Sequence, residues 1–167
     1  MPEQETLRRA REDKRAGKAP TTQAGEFVRE EMHHVREGKH GARSTKQAIA
    51  IGLSKARRAG VQLRRPPATA KAKTKRSAEY ARRAAGRGVA RPAPRRSRAI
   101  RSALKREGHS AASRSALARQ AKSAARRRSP AARRAAARRA VRTKGPQTRR
   151  AAARRAAQTR KRRRAAA

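Results

Sequence analysis

Apolar side chains recur at helical spacing over one main stretch of this chain, from Thr22 to Ala59. Ala24, Phe27, Val28, Met32 and Val35 follow the i, i+3/i+4 rhythm of a single buried face. That rhythm predicts a helix from an N-cap at Thr22 to about Glu37, with Gly38 as its stop. After the turn Gly38-Lys39-His40-Gly41, Ser44 and Gln47 have capping-box spacing and predict another helix ending near Ala59, before Gly60. Its apolar face is Ile49, Gly52, Leu53 and Ala56. Gly52 costs about 1 kcal/mol relative to Ala inside a helix, a cost that close approach of the preceding helix would offset. Lys46, Ser54 and Arg57 fall on the far side with Gln47 and Arg58 beside them, and Lys55 reads as a tolerant surface position.

Upstream, residues 3–16 form a weakly apolar helix candidate with Leu7 as its one large aliphatic residue. The pairs Glu5/Arg9, Arg8/Glu12 and Arg9/Asp13 stand at i,i+4, and the segment 17–20 breaks the helix. The expected head is thus a helical hairpin of two to three helices around Phe27, Val28, Met32, Val35, Ile49 and Leu53. So small a core is marginal alone. Docking of the first helix, dimerisation or a bound partner would complete it.

Beyond Leu63 the apolar rhythm gives way to charge. From Arg64 to Ala167 there are 37 of the 51 basic residues and only two acids, Glu79 and Glu107, so this stretch holds +35 of the net +41. The chain therefore reads as two regions, a helical head at 1–63 and an Arg/Ala-rich tail at 64–167. Phe27 and Tyr80 are the only aromatics apart from histidine, and most of the apolar fraction is alanine, which buries little surface. The expected fold class is all-α: a small N-terminal helical hairpin followed by a long, largely disordered or fractionally helical basic tail.

Prolines at 66, 67, 92, 94, 130 and 146 cut the tail into segments. Residues 97–107 and 113–128 are helix candidates, and Ser129-Pro130 has the order that opens a helix. RRAAARRAVRTK at 133–144 and RRAAARRAAQTRK at 149–161 are near-copies offset by 16 residues. Their arginine pairs recur every five residues, which advances about 140° net around a helix and spreads the charge over its circumference.

Such a tail implies a polyanionic partner, DNA or alternatively RNA. Arginine's planar fork engages phosphate oxygens bidentately and stacks on bases. The expected nucleic-acid-binding residues are Lys46, Arg57 and Arg58 in the head, and in the tail Arg126, Arg127, Arg128, Arg133, Arg134, Arg138, Arg139, Arg149, Arg150, Arg154, Arg155, Arg162, Arg163 and Arg164. The chain has neither a recognition helix nor aromatic platforms, so binding is expected to tolerate any sequence. The leading function is histone-like, nucleoid-associated DNA binding in the cytoplasm. The alternatives are an RNA- or ribosome-associated basic protein, and an adaptor whose acidic helix face Glu26-Glu30-Glu31-Glu37 docks a protein partner. Self-association through the head belongs to the same expectation.

Other chemistry has weaker support. With no cysteine there is no thiolate metal site, disulfide or thiol nucleophile. His33 and His34 are adjacent and diverge by about 100° on a helix, HExxH spacing is absent, and His40 and His109 read as turn residues, so neither metal nor cofactor is expected. GKHGARST lacks the order of a phosphate-binding loop, and Ser44 beside His40 and Glu37 is no triad. The expectation is a non-enzyme. No segment suits a membrane span or an amphipathic lipid surface, and the first residues lack a signal-peptide apolar region.

The strings TQAGEFVREEMHHVREGKHG and GKHGARSTKQAIAIGLSKARRAG carry a resemblance. Over roughly residues 5–63 the chain resembles an uncharacterised family of small basic proteins from bacteria, especially proteobacteria. The resemblance implies a bacterial, cytoplasmic protein and brings no activity with it. The tail is similar in composition to the basic arms of bacterial histone-like proteins, but richer in arginine, with 30 Arg to 7 Lys from residue 64 onward.

Overall fold

The computed structural model describes residues 2–86, 93–143 and 145–165, the side chains of Thr143 and Arg163 excepted. Pro92 and the side chain of Arg163 thus lie outside the described residues. Among the described residues 76% are helical, in eight α-helices and one 3₁₀ turn. The helices are α1 (Gln4–Arg15), α2 (Pro20–Arg36), α3 (Thr45–Arg58), α4 (Ala72–Gly86), α5 (Pro94–Lys105), α6 (Arg114–Arg126), α7 (Pro130–Thr143) and α8 (Pro146–Ala165). The 3₁₀ turn, Ser110–Ala112, lies between α5 and α6.

The all-α class stands, but the expectation of a disordered tail is overturned: helices run through it. Local chemistry supplies the reason. Ala and Arg are among the strongest helix formers, and Pro94, Pro130 and Pro146 each open a helix where a missing N–H costs nothing. Ser113 accepts from Ala116 N at 3.2 Å and Ser129 from Ala132 N at 3.1 Å, capping α6 and α7. These local preferences outweigh the repulsion between neighbouring guanidiniums.

The chain divides into two compact units, Met1–Gln120 and Ala121–Ala167. The second holds α7 and α8, whose described side chains are exposed apart from partly covered Ala151. In the first, α2 packs against α1 and α3, and α3 packs against α4. One cluster joins Ala10, Ala24, Phe27 and Ala56 with Leu7, Leu53, Val61 and Leu63 around it. Phe27 and Val35 are completely buried.

The hairpin lies where the apolar stripe placed it. Gly38 closes α2 at φ +74°, a left-handed conformation that suits glycine. Gly52 lets α2 and α3 approach, since a Cβ there would lie 2.8 Å from Val28 Cα. Two details differ. α2 begins at Pro20 behind Ala19, two residues before the expected cap at Thr22. Ser44 caps α3 by accepting from Gln47 N at 3.2 Å, while Gln47 Oε1 accepts from Arg43 N at 3.1 Å instead of closing the box on Ser44 itself.

What completes the small core is a piece of the basic region. Ala111 and Ala112 are buried against Met32, Val35, Ala42 and Ala48, with Leu117 at the margin. The link is also polar. Gly41 N donates to Leu104 O at 2.8 Å and Ala42 N to Gly108 O at 3.0 Å. Thr45 Oγ1 donates to Ala111 O at 2.6 Å, and Arg36 Nε to Ala112 O at 2.9 Å. Gly41 has no room for a side chain, because a Cβ would overlap the Glu107 carbonyl.

Candidate functional site

The expected nucleic-acid contacts occupy exposed helix surface. Arg126 ends α6 and Arg127 and Arg128 follow it before α7, while Arg133, Arg134, Arg138 and Arg139 stand exposed on α7. Arg149, Arg150, Arg154, Arg155, Arg162 and Arg164 are exposed on α8. The α7 charges are less evenly spread than five-residue spacing suggests. Arg134, Arg138 and Arg142 stand one above another at i, i+4 and i+8 and line a depression of about 460 Å³ together with Arg139. Successive guanidinium positions in that row rise about 6 Å along the helix.

In the first unit the basic face divides. Lys46 and Arg58 are exposed, whereas Arg57 is half-buried and turns toward α4. There it lines a groove of about 540 Å³ with Arg64, Arg65, Lys75, Arg76, Arg82 and Arg83, and Glu79 is the only acid in the lining. Glu79 is engaged by Arg82 at 2.9 Å and Arg83 at 3.2 Å. The Arg82 hydrogen bond holds its carboxyl below the ordinary range. The remaining cations of the groove are thus concentrated around one neutralised carboxylate. Sequence spacing did not reveal the groove, because it forms only where α4 folds back on α3.

A second constellation lies inside the α2–α3 hairpin. Glu31 is completely buried and Glu30 nearly so. Lys55, expected on the surface, turns inward instead. Its Nζ donates to Glu30 Oε1 at 2.9 Å and stands 2.8 Å from Glu31 Oε2. Burial works to lower the Lys55 pKa, yet Glu31 and Glu30 hold it above the ordinary lysine value. Burial likewise pushes Glu30 up, but hydrogen bonds from Lys55, Thr6 and the Glu3 amide bring its carboxyl below the usual range. The acidic face expected to dock a partner is therefore largely internal.

Two histidines border this network. His40 Nε2 lies 3.2 Å from Glu31 Oε1, and its Nδ1 is 3.0 Å from Gly41 O. His34 Nε2 is 2.9 Å from Glu3 Oε1, which also accepts from Lys39 Nζ at 3.1 Å. These contacts, His34 first, lower the Glu3 pKa. The two imidazoles meet edge to face with centroids 6.0 Å apart. One donor atom from each of Glu31, His34 and His40 lies within 4.8 Å of the others. Neither oxygen of Glu31 receives a well-aligned hydrogen bond. The sequence reading set the histidines apart and missed their union. Glu31 and His34 share a helix face at i,i+3, and the tight turn at Gly38 returns His40 to them.

These features fall in a segment with relatives. Residues 13–67 match a family of unknown function, DUF6496. The DUF6496 match spans α2, α3 and the turn between them, and so includes Glu31, His34, His40 and Lys55. It ends before α4 and the arginine-rich helices. No curated protein and no solved structure matches the chain. Among the described residues no helix is long and apolar enough to cross a membrane.

Proposed function

We propose that this protein binds nucleic acid without regard to sequence, as a histone-like, nucleoid-associated protein of the cytoplasm. The observation that carries the reading is the exposed guanidinium surface of α7 and α8, two helices without a carboxylate side chain. Duplex DNA presents one charge per about 1.7 Å, so 35 engaged positive charges would cover on the order of 18 base pairs. Phosphate contacts supply affinity and position but read no sequence directly. The groove between α3 and α4 adds a second cationic surface. RNA is the second reading, favoured by the excess of 30 Arg over 7 Lys in the tail, because guanidinium planes also stack on unpaired bases.

Fluorescence anisotropy of the full chain against random duplex DNA and random RNA, over a salt series, tests the proposal. Log affinity should fall linearly with log salt, at about −0.9 per duplex phosphate neutralised. Replacing Arg134, Arg138 and Arg142 together by Gln should weaken unrelated duplexes equally and reduce the slope by up to about three. Salt-insensitive binding, or strong preference for one duplex, refutes the reading.

A further inference from the structure

We infer that Glu31, His34 and His40 form a binding site for a divalent transition-metal ion, with zinc the best match to the donors. The inference is independent of the nucleic-acid reading.

The donor chemistry comes first. Two imidazoles and one carboxylate are a borderline-soft set that suits zinc rather than magnesium or calcium, which prefer all-oxygen shells. Three protein donors with a fourth position left for water or a further carboxylate is an arrangement zinc accepts. A tetrahedral zinc ion with bonds of about 2.0–2.1 Å places its ligand atoms roughly 3.3 Å apart. His40 Nε2 and Glu31 Oε1 are already separated by 3.2 Å. The whole triad, within 4.8 Å, needs only a modest closure of His34.

Orientation supports the same assignment. His40 Nδ1 faces the Gly41 carbonyl at 3.0 Å, so a proton on that nitrogen is held by the backbone. That contact leaves Nε2 as the ring nitrogen facing Glu31 Oε1. This is the outer hydrogen bond that fixes the tautomer of metal-bound histidines.

Glu31 is the independent observation. Its carboxylate is sealed from solvent, and Lys55 stands at Oε2, leaving Oε1 directed at the histidine. Oε2 is matched by the Lys55 ammonium, whereas no aligned hydrogen bond reaches Oε1. Charge is unbalanced in the same direction. Glu3, Glu30, Glu31 and Glu37 face only the ammonium groups of Lys39 and Lys55, so carboxylates outnumber lysines in this network. A bound ion would tie α2 to the turn that leads into α3.

The test uses the full chain, stripped of nucleic acid by nuclease and high salt. Zinc chloride is titrated calorimetrically, and cobalt(II) serves as a coloured substitute whose visible spectrum reports tetrahedral coordination. One zinc per chain is expected, with affinity falling about 100-fold or more in His34→Gln and in His40→Gln. His33→Gln and His109→Gln, at exposed positions outside the triad, should bind as the parent does. Nitrogen-15 spectra of the unmodified protein guard against misfolded variants: zinc should shift the Nε2 signals of His34 and His40 and leave His33 and His109 in place. Absence of saturable uptake, uptake that survives both triad variants, or shifts confined to His33 and His109 would overturn the assignment.

Discussion

The Lys55 ammonium of α3 lies 2.8 Å from Oε2 of Glu31 on α2, and Glu30 beside it accepts a hydrogen bond from the same group. One cation therefore serves two carboxylates inside the hairpin. Removing it strands both, and breaking a buried pair from one side costs about 3–5 kcal/mol. Lys55→Met should accordingly lower the unfolding free energy of the first unit by that order, read as a fall in its urea midpoint. Adding Glu30→Gln and Glu31→Gln should recover much of the loss. If Lys55→Met leaves the urea midpoint unchanged, the inward placement of this side chain is wrong.

Two glycines in neighbouring helices should respond in opposite directions. Gly52→Ala gains helix propensity but drives a Cβ to 2.8 Å from Val28 Cα, a backbone atom that cannot swing aside. Net destabilisation of about 1–3 kcal/mol is expected. Gly25→Ala meets nothing within 4 Å on α2 and should stabilise by about 0.5–1 kcal/mol. Thermal melts of both variants measure the contrast.

Gly41→Ala should undock the segment that follows α5. The new methyl would occupy the place of the Glu107 carbonyl, so the bonds from Gly41 N to Leu104 O and from Ala42 N to Gly108 O should open. Amide exchange at Ala42 reads this out, and faster exchange there with slow exchange retained at Val35 is the expected pattern.

A chain ending at Gln120 should keep α1 to α5 and the core of the first unit, whereas one ending at Leu63 should lose stability because Ala111 and Ala112 are gone. The longer fragment lacks 19 basic residues and no acidic ones. Its nucleic-acid affinity should drop, and its salt slope should be shallower than that of the whole chain. Circular dichroism and anisotropy on the two fragments decide the matter.

Glu5 is the most strongly shifted exposed carboxyl. Hydrogen bonds from Arg8 and then Arg9 bring its pKa from 4.5 to about 2. Because the folded value is the lower one, this pairing favours folding above about pH 4.5 and its contribution fades as pH falls through 2. Carbon-13 titration of the Glu5 side chain should give a midpoint near 2, moving upward with added salt as screening loosens the surface pairs.

The hairpin was legible because Phe27, Val35 and their neighbours repeat with the period of a helix, and because Ser44, Gly38 and Gly60 punctuate it. The extent of helix in the tail was misjudged for want of an apolar face, although segments 97–107 and 113–128 and the Ser129-Pro130 start were marked and correspond to α5, α6 and α7. Their formation rests on Ala and Arg propensity, proline starts and serine caps, all of which stood in the sequence. Ala111 and Ala112 gave no signal, since two alanines near a glycine look the same in a core as on a surface. Lys55 and the two histidines were missed for a related reason. Helical spacing says which residues share a side, but only the crossing of α2 over α3 makes that side internal. The Glu31–His34 pair was nevertheless readable as Glu-x-x-His, the i,i+3 arrangement that aims a carboxylate and an imidazole the same way.

Because Ala112 fills a place beside Ala48, the hairpin depends on residues made long after it. Translation at about 5–20 residues per second puts roughly 3–13 s between the two positions. Through that interval Met32, Val35 and Ala42 wait with one wall missing, while the arginines that follow Leu63 are already leaving the ribosome. The nascent chain thus presents its cationic segments to surrounding RNA before its own fold can close.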